Sequence, residues 1–220
     1  MRATAILRAG LVGTLLVTGG AFAGAGAAHA SNPPGEASLG SAAFTKGNSA
    51  PISITSIAGC SIEGPTTSSS ETISQTGITF GGGETTCETT TVDPEEDVTT
   101  TKSMASGKNF ELSALVSARG PRIRIGSYTV TCTATQKLTE ATWKYEDASG
   151  LGTLPSPVPA GYVKPLTKSD GTLLAQAIFN ERHLPGDGSI GLTMLRIKFA
   201  PASGITGEVV VGRAACSPTP

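Results

Sequence analysis

The stretch Thr172 to Cys216, TLLAQAIFNERHLPGDGSIGLTMLRIKFAPASGITGEVVVGRAAC, decides the fold class. In TLLAQAIFNE, Leu174, Gln176 and Ile178 point one way, while Leu173, Ala175, Ala177 and Phe179 point the other. One wholly apolar face marks a half-buried strand. Leu184-Pro185-Gly186-Asp187-Gly188 is turn chemistry. In SIGLTMLRIKF the apolar phase runs through Ile190, Leu192 and Met194, then slips to Leu195, Ile197 and Phe199, which predicts a bulge or strong local twist. GEVVVGRAAC adds a third strand that ends on the last cysteine.

Upstream, the same period recurs. PISITSIAGC turns Ile52, Ile54 and Ile57 inward, Glu63 to Ser70 is a polar loop, and TISQTGITF is a short strand that Gly81-Gly82-Gly83 interrupts. Glu84 to Ser103, ETTCETTTVDPEEDVTTTKS, reads as a threonine-rich hairpin at a sheet edge, turning at Val92-Asp93-Pro94-Glu95. Phe110, Leu112, Ala114 and Val116 alternate inward. In RIRIGSYTVTCTAT, Ile123 and Ile125 share one phase and Tyr128, Val130, Cys132 and Ala134 the other, with the flip across Gly126-Ser127. Thr129, Thr131, Thr133 and Thr135 then form a row on the outer face. Ala141, Trp143 and Tyr145 alternate with polar residues. Asp147 to Gly171 is a long Pro- and Gly-rich connection, of the kind that is either functional or irregularly packed. Short strands with turn signals between them, and no helical period, predict an all-β fold. The expected architecture is a single-domain, disulfide-stabilised antiparallel β-sandwich over residues 51–220.

The first thirty residues have the physics of a secretory signal. Arg2 and Arg8 precede an apolar run from Ala9 to Ala23, and Ala28-His29-Ala30 offers small residues for cleavage before Ser31. Residues 31–50, SNPPGEASLGSAAFTKGNSA, read as a flexible leader that Phe44 alone pins. Without Arg2 and Arg8 the 16 basic side chains fall to 14 against 17 acidic ones, a net charge of −3. That is no footprint for nucleic acid or anionic lipid. With the signal removed, stable membrane insertion is not expected either. The chain ends in CSPTP with no hydrophobic tail, so the protein is expected to be secreted, or held at the cell surface non-covalently.

Four cysteines, Cys60, Cys87, Cys132 and Cys216, imply two disulfides in an exported chain, with three connectivities open. Cys60–Cys87 with Cys132–Cys216 is favoured, because the strands around the second pair are long and apolar. In the chain-entropy model these loops contribute about 3.5 and about 4.6 kcal/mol. No pair has C-x-x-C spacing, and only His183 follows the cleavage site among histidines, which disfavours redox and zinc sites.

Catalytic signatures are weak. His183 sits on a turn, no G-x-S-x-G is present, and GGGE at Gly81 to Glu84 is not followed by a helix. Glu181 and Asp187 flank one turn, and Glu140, Glu146 and Asp147 border the long connection, so a glycan hydrolase using paired carboxylates stays as an alternative. Asp93, Glu95, Glu96 and Asp97 lack the spacing and glycine of a calcium loop. They read as a solvated acidic turn that discourages edge pairing. One threonine row without repeats does not specify ice binding. No cofactor and no metal are expected.

From about Gly77 to Cys216 the chain resembles exported actinobacterial proteins of the choice-of-anchor P family. YTVTCTAT at Tyr128 to Thr135, the loop around PSPVPAGY, FNE at Phe179 to Glu181, DGSIGLTMLRIKF and GEVVVGRAAC carry the resemblance. Arg182 stands where the family pattern expects Gln, and the family's variable C-terminal anchor has no counterpart in CSPTP. The resemblance implies a signal-bearing, β-rich secreted or surface protein and no particular activity. The functional expectation is therefore a non-enzymatic extracellular or envelope-associated interaction module. Its partner would be cell-envelope glycan or protein, bound through the 146–171 connection and the turn at 180–188. Trp143, Tyr145, Tyr162 and Glu181 are the candidate ligand contacts. A secreted protease inhibitor is a further alternative.

Overall fold

The computed structural model describes residues 32–96 and 98–219. The expected signal peptide lies outside them. Two antiparallel sheets pack face to face, as the alternation predicts. The first joins β1 (Gly35–Lys46), β2 (Ile52–Ile57), β3 (Cys60–Ser61), β11 (Tyr162–Thr167), β12 (Leu173–His183), β13 (Ile190–Phe199) and β14 (Ile205–Cys216). Its order is β11-β12-β13-β14-β1-β2, with β3 also on β1. The second joins β4 (Thr67–Ser70), β5 (Ile73–Gln75), β6 (Ile78–Phe80), β7 (Gly83–Asp93), β8 (Val98–Leu112), β9 (Ile123–Thr135) and β10 (Thr139–Glu146). It runs β10-β9-β8-β6-β5, and β7 lies further along β8 with β4 outside it.

Several segments depart from the reading above. The described part of the expected 31–50 leader is not flexible, because Gly35 to Lys46 is an interior strand bonded to β14 on one side and to β2 and β3 on the other. The sandwich therefore includes residues before 51, with β1 running from Gly35. Glu63 to Ser70 is only partly loop, since β4 pairs with Gly83 to Thr86. TISQTGITF is a small hairpin, β5 with β6, turning at Gly77. The inward alternation past Leu112 stops where Ser113 and Ala114 both donate to the Gly77 carbonyl. A 3-10 turn follows over Ala114–Ala118, leaving Val116 41% exposed.

The phase flips belong to one feature. Buried residues switch parity at Leu39/Gly40 in β1, between Val211 and Gly212 in β14, between Met194 and Leu195 in β13 and at Phe179/Asn180 in β12. The second sheet switches at Gly81 to Gly83, at Lys108-Asn109 and at Gly126-Ser127. Between β12 and β13 register is unchanged across the level, since Phe179 faces Leu195 and Glu181 faces Thr193, whereas between β1 and β2 it shifts between Gly40 and Ala42. A one-residue slip in a single strand would turn its side chains to the wrong face. Here the long neighbours slip together, so the ladders from β12 to β1 and between β8 and β9 keep their register. The residues that absorb the slip have positive φ and suitable identities: Asn109 (49°), Asp147 (54°), Asn180 (53°), Gly82 (87°) and Gly212 (67°). Asn, Asp and Gly visit this region at least cost.

At that level the sheets are tied together. Tyr128, on β9, crosses its β8 partner Gly107, where a Cβ would lie 2.2 Å from the Tyr128 Cζ. Its hydroxyl donates to the Leu39 carbonyl of β1 at 2.7 Å. Farther along, both disulfides cross between the sheets: Cys60 on β3 to Cys87 on β7, and Cys132 on β9 to Cys216 on β14. Ser103 on β8 is the direct partner of both Cys87 and Cys132. Gly35 lies beneath it, with room for no side chain. The Ser103 hydroxyl is fully buried and has no hydrogen-bond partner among the described residues.

Two outcomes are expected. Ser103→Ala should raise unfolding stability by about 1 kcal/mol in urea, because it removes a desolvated hydroxyl with no partner. Burial pushes the Tyr128 phenol well above its ordinary value. The folded state therefore keeps this proton where the unfolded chain releases it, and stability should fall as pH rises above about 10. Tyr128→Phe should be less stable by about 1–2 kcal/mol at neutral pH, since the buried Leu39 carbonyl loses its donor. It should also lack that part of the alkaline decline, as pH-dependent urea titrations would show.

Candidate functional site at the edge of the sandwich

The edge strands β10 and β11 close one side of the molecule. Ala141, Trp143 and Tyr145 face inward from β10, and on β11 Tyr162 pairs directly with Phe179 of β12. The Trp143 ring stacks with Tyr145 at a centroid distance of 5.8 Å and with Phe179 at 6.2 Å. Phe179 is fully buried, whereas Trp143, Tyr145 and Tyr162 are half-buried. The aromatic ladder thus leads from the core to solvent, so Trp143 serves the core and the surface at once.

The connection from Asp147 to Gly161 folds over this edge, and β11 follows it, so residues 146–171 are not one irregular loop. Ser149 makes a bridge with Arg124, and Leu151 is buried. Lys164 Nζ donates to the Thr153 carbonyl at 3.3 Å. Asn180 holds the far end: its side-chain amide donates to the Val158 carbonyl at 3.2 Å, and its own carbonyl accepts from Gly161 N at 3.0 Å. The slip residue of β12 therefore also fixes the proline loop. Trp143, Lys144, Tyr145, Pro157 and Val158 line a shallow depression of about 360 Å3.

Of the four expected contacts, Trp143, Tyr145 and Tyr162 are brought to this edge and Glu181 is not. Glu181 lies on the outer face of the first sheet, where Arg196 donates to it at 2.6 Å and to Glu208 at 2.5 Å. Burial of Arg196 works against its charge, but the hydrogen bond and field of Glu181, with those of Glu208, raise its pKa above the ordinary value. Nor is His183 a free turn residue, since β12 extends to it. Its Nδ1 is 2.9 Å from Asn32 Oδ1, and the Asn32 amide donates to the His183 carbonyl and to Ser189 Oγ. Asp187 caps the same turn by accepting from Ser189 N. Asp93 does likewise for Glu95 and Glu96. Among the described residues no three His, Cys, Asp or Glu side chains gather as a metal site. Lys144, Val158 and Asn180 were missed from sequence. A polar residue interrupting an apolar strand, as Asn180 does, was the available signal.

No family model, curated protein or solved structure matches this chain.

The two stacked rings should separate in unfolding experiments. Trp143→Ala, which removes packing on Phe179, should cost about 2–3 kcal/mol. Tyr145→Ala, at the solvent end, should cost under about 1 kcal/mol. Equal losses in urea denaturation would contradict the ladder described here.

Proposed function

We propose that this chain is an exported, non-enzymatic interaction module that recognises cell-envelope material at the β10–β11 edge. The observation that carries this reading is the half-exposed Trp143–Tyr145 stack beside a proline loop pinned by Asn180 and Lys164. Aromatic faces held on rigid strands offer binding area at small entropic cost, and a loop tied at both ends adds to that preorganisation. Two inter-sheet disulfides favour an oxidising compartment. Among the described residues no helix is long and apolar enough to cross a membrane. The resemblance to choice-of-anchor P proteins agrees with a secreted or surface-held β-sandwich.

Co-sedimentation of oxidised residues 31–220 with purified cell walls should show saturable pelleting. Tyr145→Ala combined with Val158→Ser should weaken it about tenfold, the effect of losing roughly 1.4 kcal/mol of contact. Unchanged pelleting by this folded variant would remove the edge from consideration.

A further inference from the structure

A second concavity lies on the outer face of the second sheet, lined by residues from Ser69 to Thr72 and from β7, β8 and β9 rather than by the aromatic side chains of β10. It is an open trough of about 950 Å3 and follows the level at which the strands slip. Its floor is nearly bare backbone. A Cβ at Gly83 would lie 2.2 Å from the Ser106 carbonyl oxygen, and one at Gly81 would lie 2.5 Å from the Asn109 Cβ. One wall is the crossing from β4 to β5, held by Thr72 Oγ1 donating to the Gly81 carbonyl at 3.3 Å. The opposite wall is Lys108, Asn109 and Ser127.

The lining chemistry is uniform: Ser, Thr, Gly, Asn, Glu and Lys, with no aromatic or aliphatic side chain. The side chains of Glu71, Glu84, Lys108 and Asn109 form no hydrogen bond or ion pair among the described residues. By contrast, neighbouring Glu111 is occupied by Arg122 and Arg124. The two carboxylates outnumber the single ammonium, which works against polyanions. A peptide's apolar side chains would find no partner here. What fits is a neutral chain rich in hydroxyl or amide groups, to which carboxylates can accept and Lys108 and Asn109 can donate.

We propose that this glycine-floored trough binds a neutral oligosaccharide. Its volume is at the upper end of the roughly 300–1,000 Å3 typical of small-ligand sites, so it takes several sugar units rather than one. The slip supplies the trough: Gly83 pairs with Gly107, Gly81 lies beside Lys108 and Asn109, and Glu84, Ser106 and Lys108 remain outward around them. This site stands independently of the aromatic edge.

Calorimetric titration of the oxidised protein with chitohexaose, cellohexaose and maltohexaose tests it. At least one should bind saturably. Ser106→Arg, which fills the trough, should abolish binding, and Glu84→Gln should weaken it about tenfold through loss of a charge-assisted hydrogen bond. Lys198→Ala, on the other sheet, should change nothing. Failure of all three sugars to bind, binding of heparin alone, or full affinity in folded Ser106→Arg would overturn the proposal. If Ser106→Arg does not fold, unchanged affinity in Glu84→Gln overturns it. Cell-wall pelleting that is lost in the trough variants but kept in the Tyr145 and Val158 variant would sink the edge reading and leave this one standing.

Discussion

Neighbouring strands can shift the face they bury only if they do so together, because hydrogen-bond register and side-chain parity are locked to each other in a sheet. In this protein the long strands of both sheets make that shift at a common level. The consequences spread outward from it. Backbone with positive φ must be supplied at several aligned positions, hence Asn109, Asn180 and Gly212. The Tyr128 ring needs Gly107 to pass beneath it before its hydroxyl can reach the Leu39 carbonyl of the facing sheet. Asn180, already placed by its own backbone, has its side chain free to hold the proline loop.

Above that level, covalent bonds do what large side chains do elsewhere. The rank Cys87, Ser103, Cys132 faces Cys60, β1 and Cys216, and the residues between the cystines are small: Gly35, Ala37 and Ser103. Side chains there meet sulfur and one another at close range. A larger residue at Gly35 would strike Ile62, Thr101 and Ser103 within 3.0 Å. The cross-links therefore compensate for a layer that contributes little apolar area. Below the level the aromatic pairs Phe80–Phe110 and Phe44–Phe199 fill the core by conventional packing.

This division explains what the sequence disclosed. Strands with branched or long side chains, such as RIRIGSYTVTCTAT and SIGLTMLRIKF, were legible from alternation, including the places where alternation breaks. The strand GEASLGSAAFTK was not. Its inward residues Ala37, Leu39, Ala42 and Phe44 change parity at Gly40, and half of them are alanine, so the composition resembles a linker. Small residues there reflect close packing under the disulfides rather than freedom. Past Leu112 the error had the opposite sense: Ala114 and Val116 continue an alternating pattern, but the Gly77 carbonyl captures two successive amides and ends the strand.

The same slip decides which candidate contacts share a surface. Uninterrupted alternation puts Glu181 on the face of Ala175, Ala177 and Phe179, beside the Trp143 ladder. Asn180, at a φ of 53°, rotates the chain before Glu181, and the carboxylate emerges on the outer face against Arg196. Trp143 and Tyr145 lie on a stretch of β10 that alternates without a slip, so their shared face was readable, whereas Tyr162 comes near them only through its pairing with Phe179 across β11 and β12. Once the slip is included, the sandwich presents two chemically distinct surfaces: an aromatic step where the sheets meet at an edge, and a hydroxyl-lined trough where glycines leave backbone bare. The trough follows from the level at which each strand changes face, and the aromatic step is tied to that level through Asn180, whose amide holds the Val158 carbonyl of the proline loop.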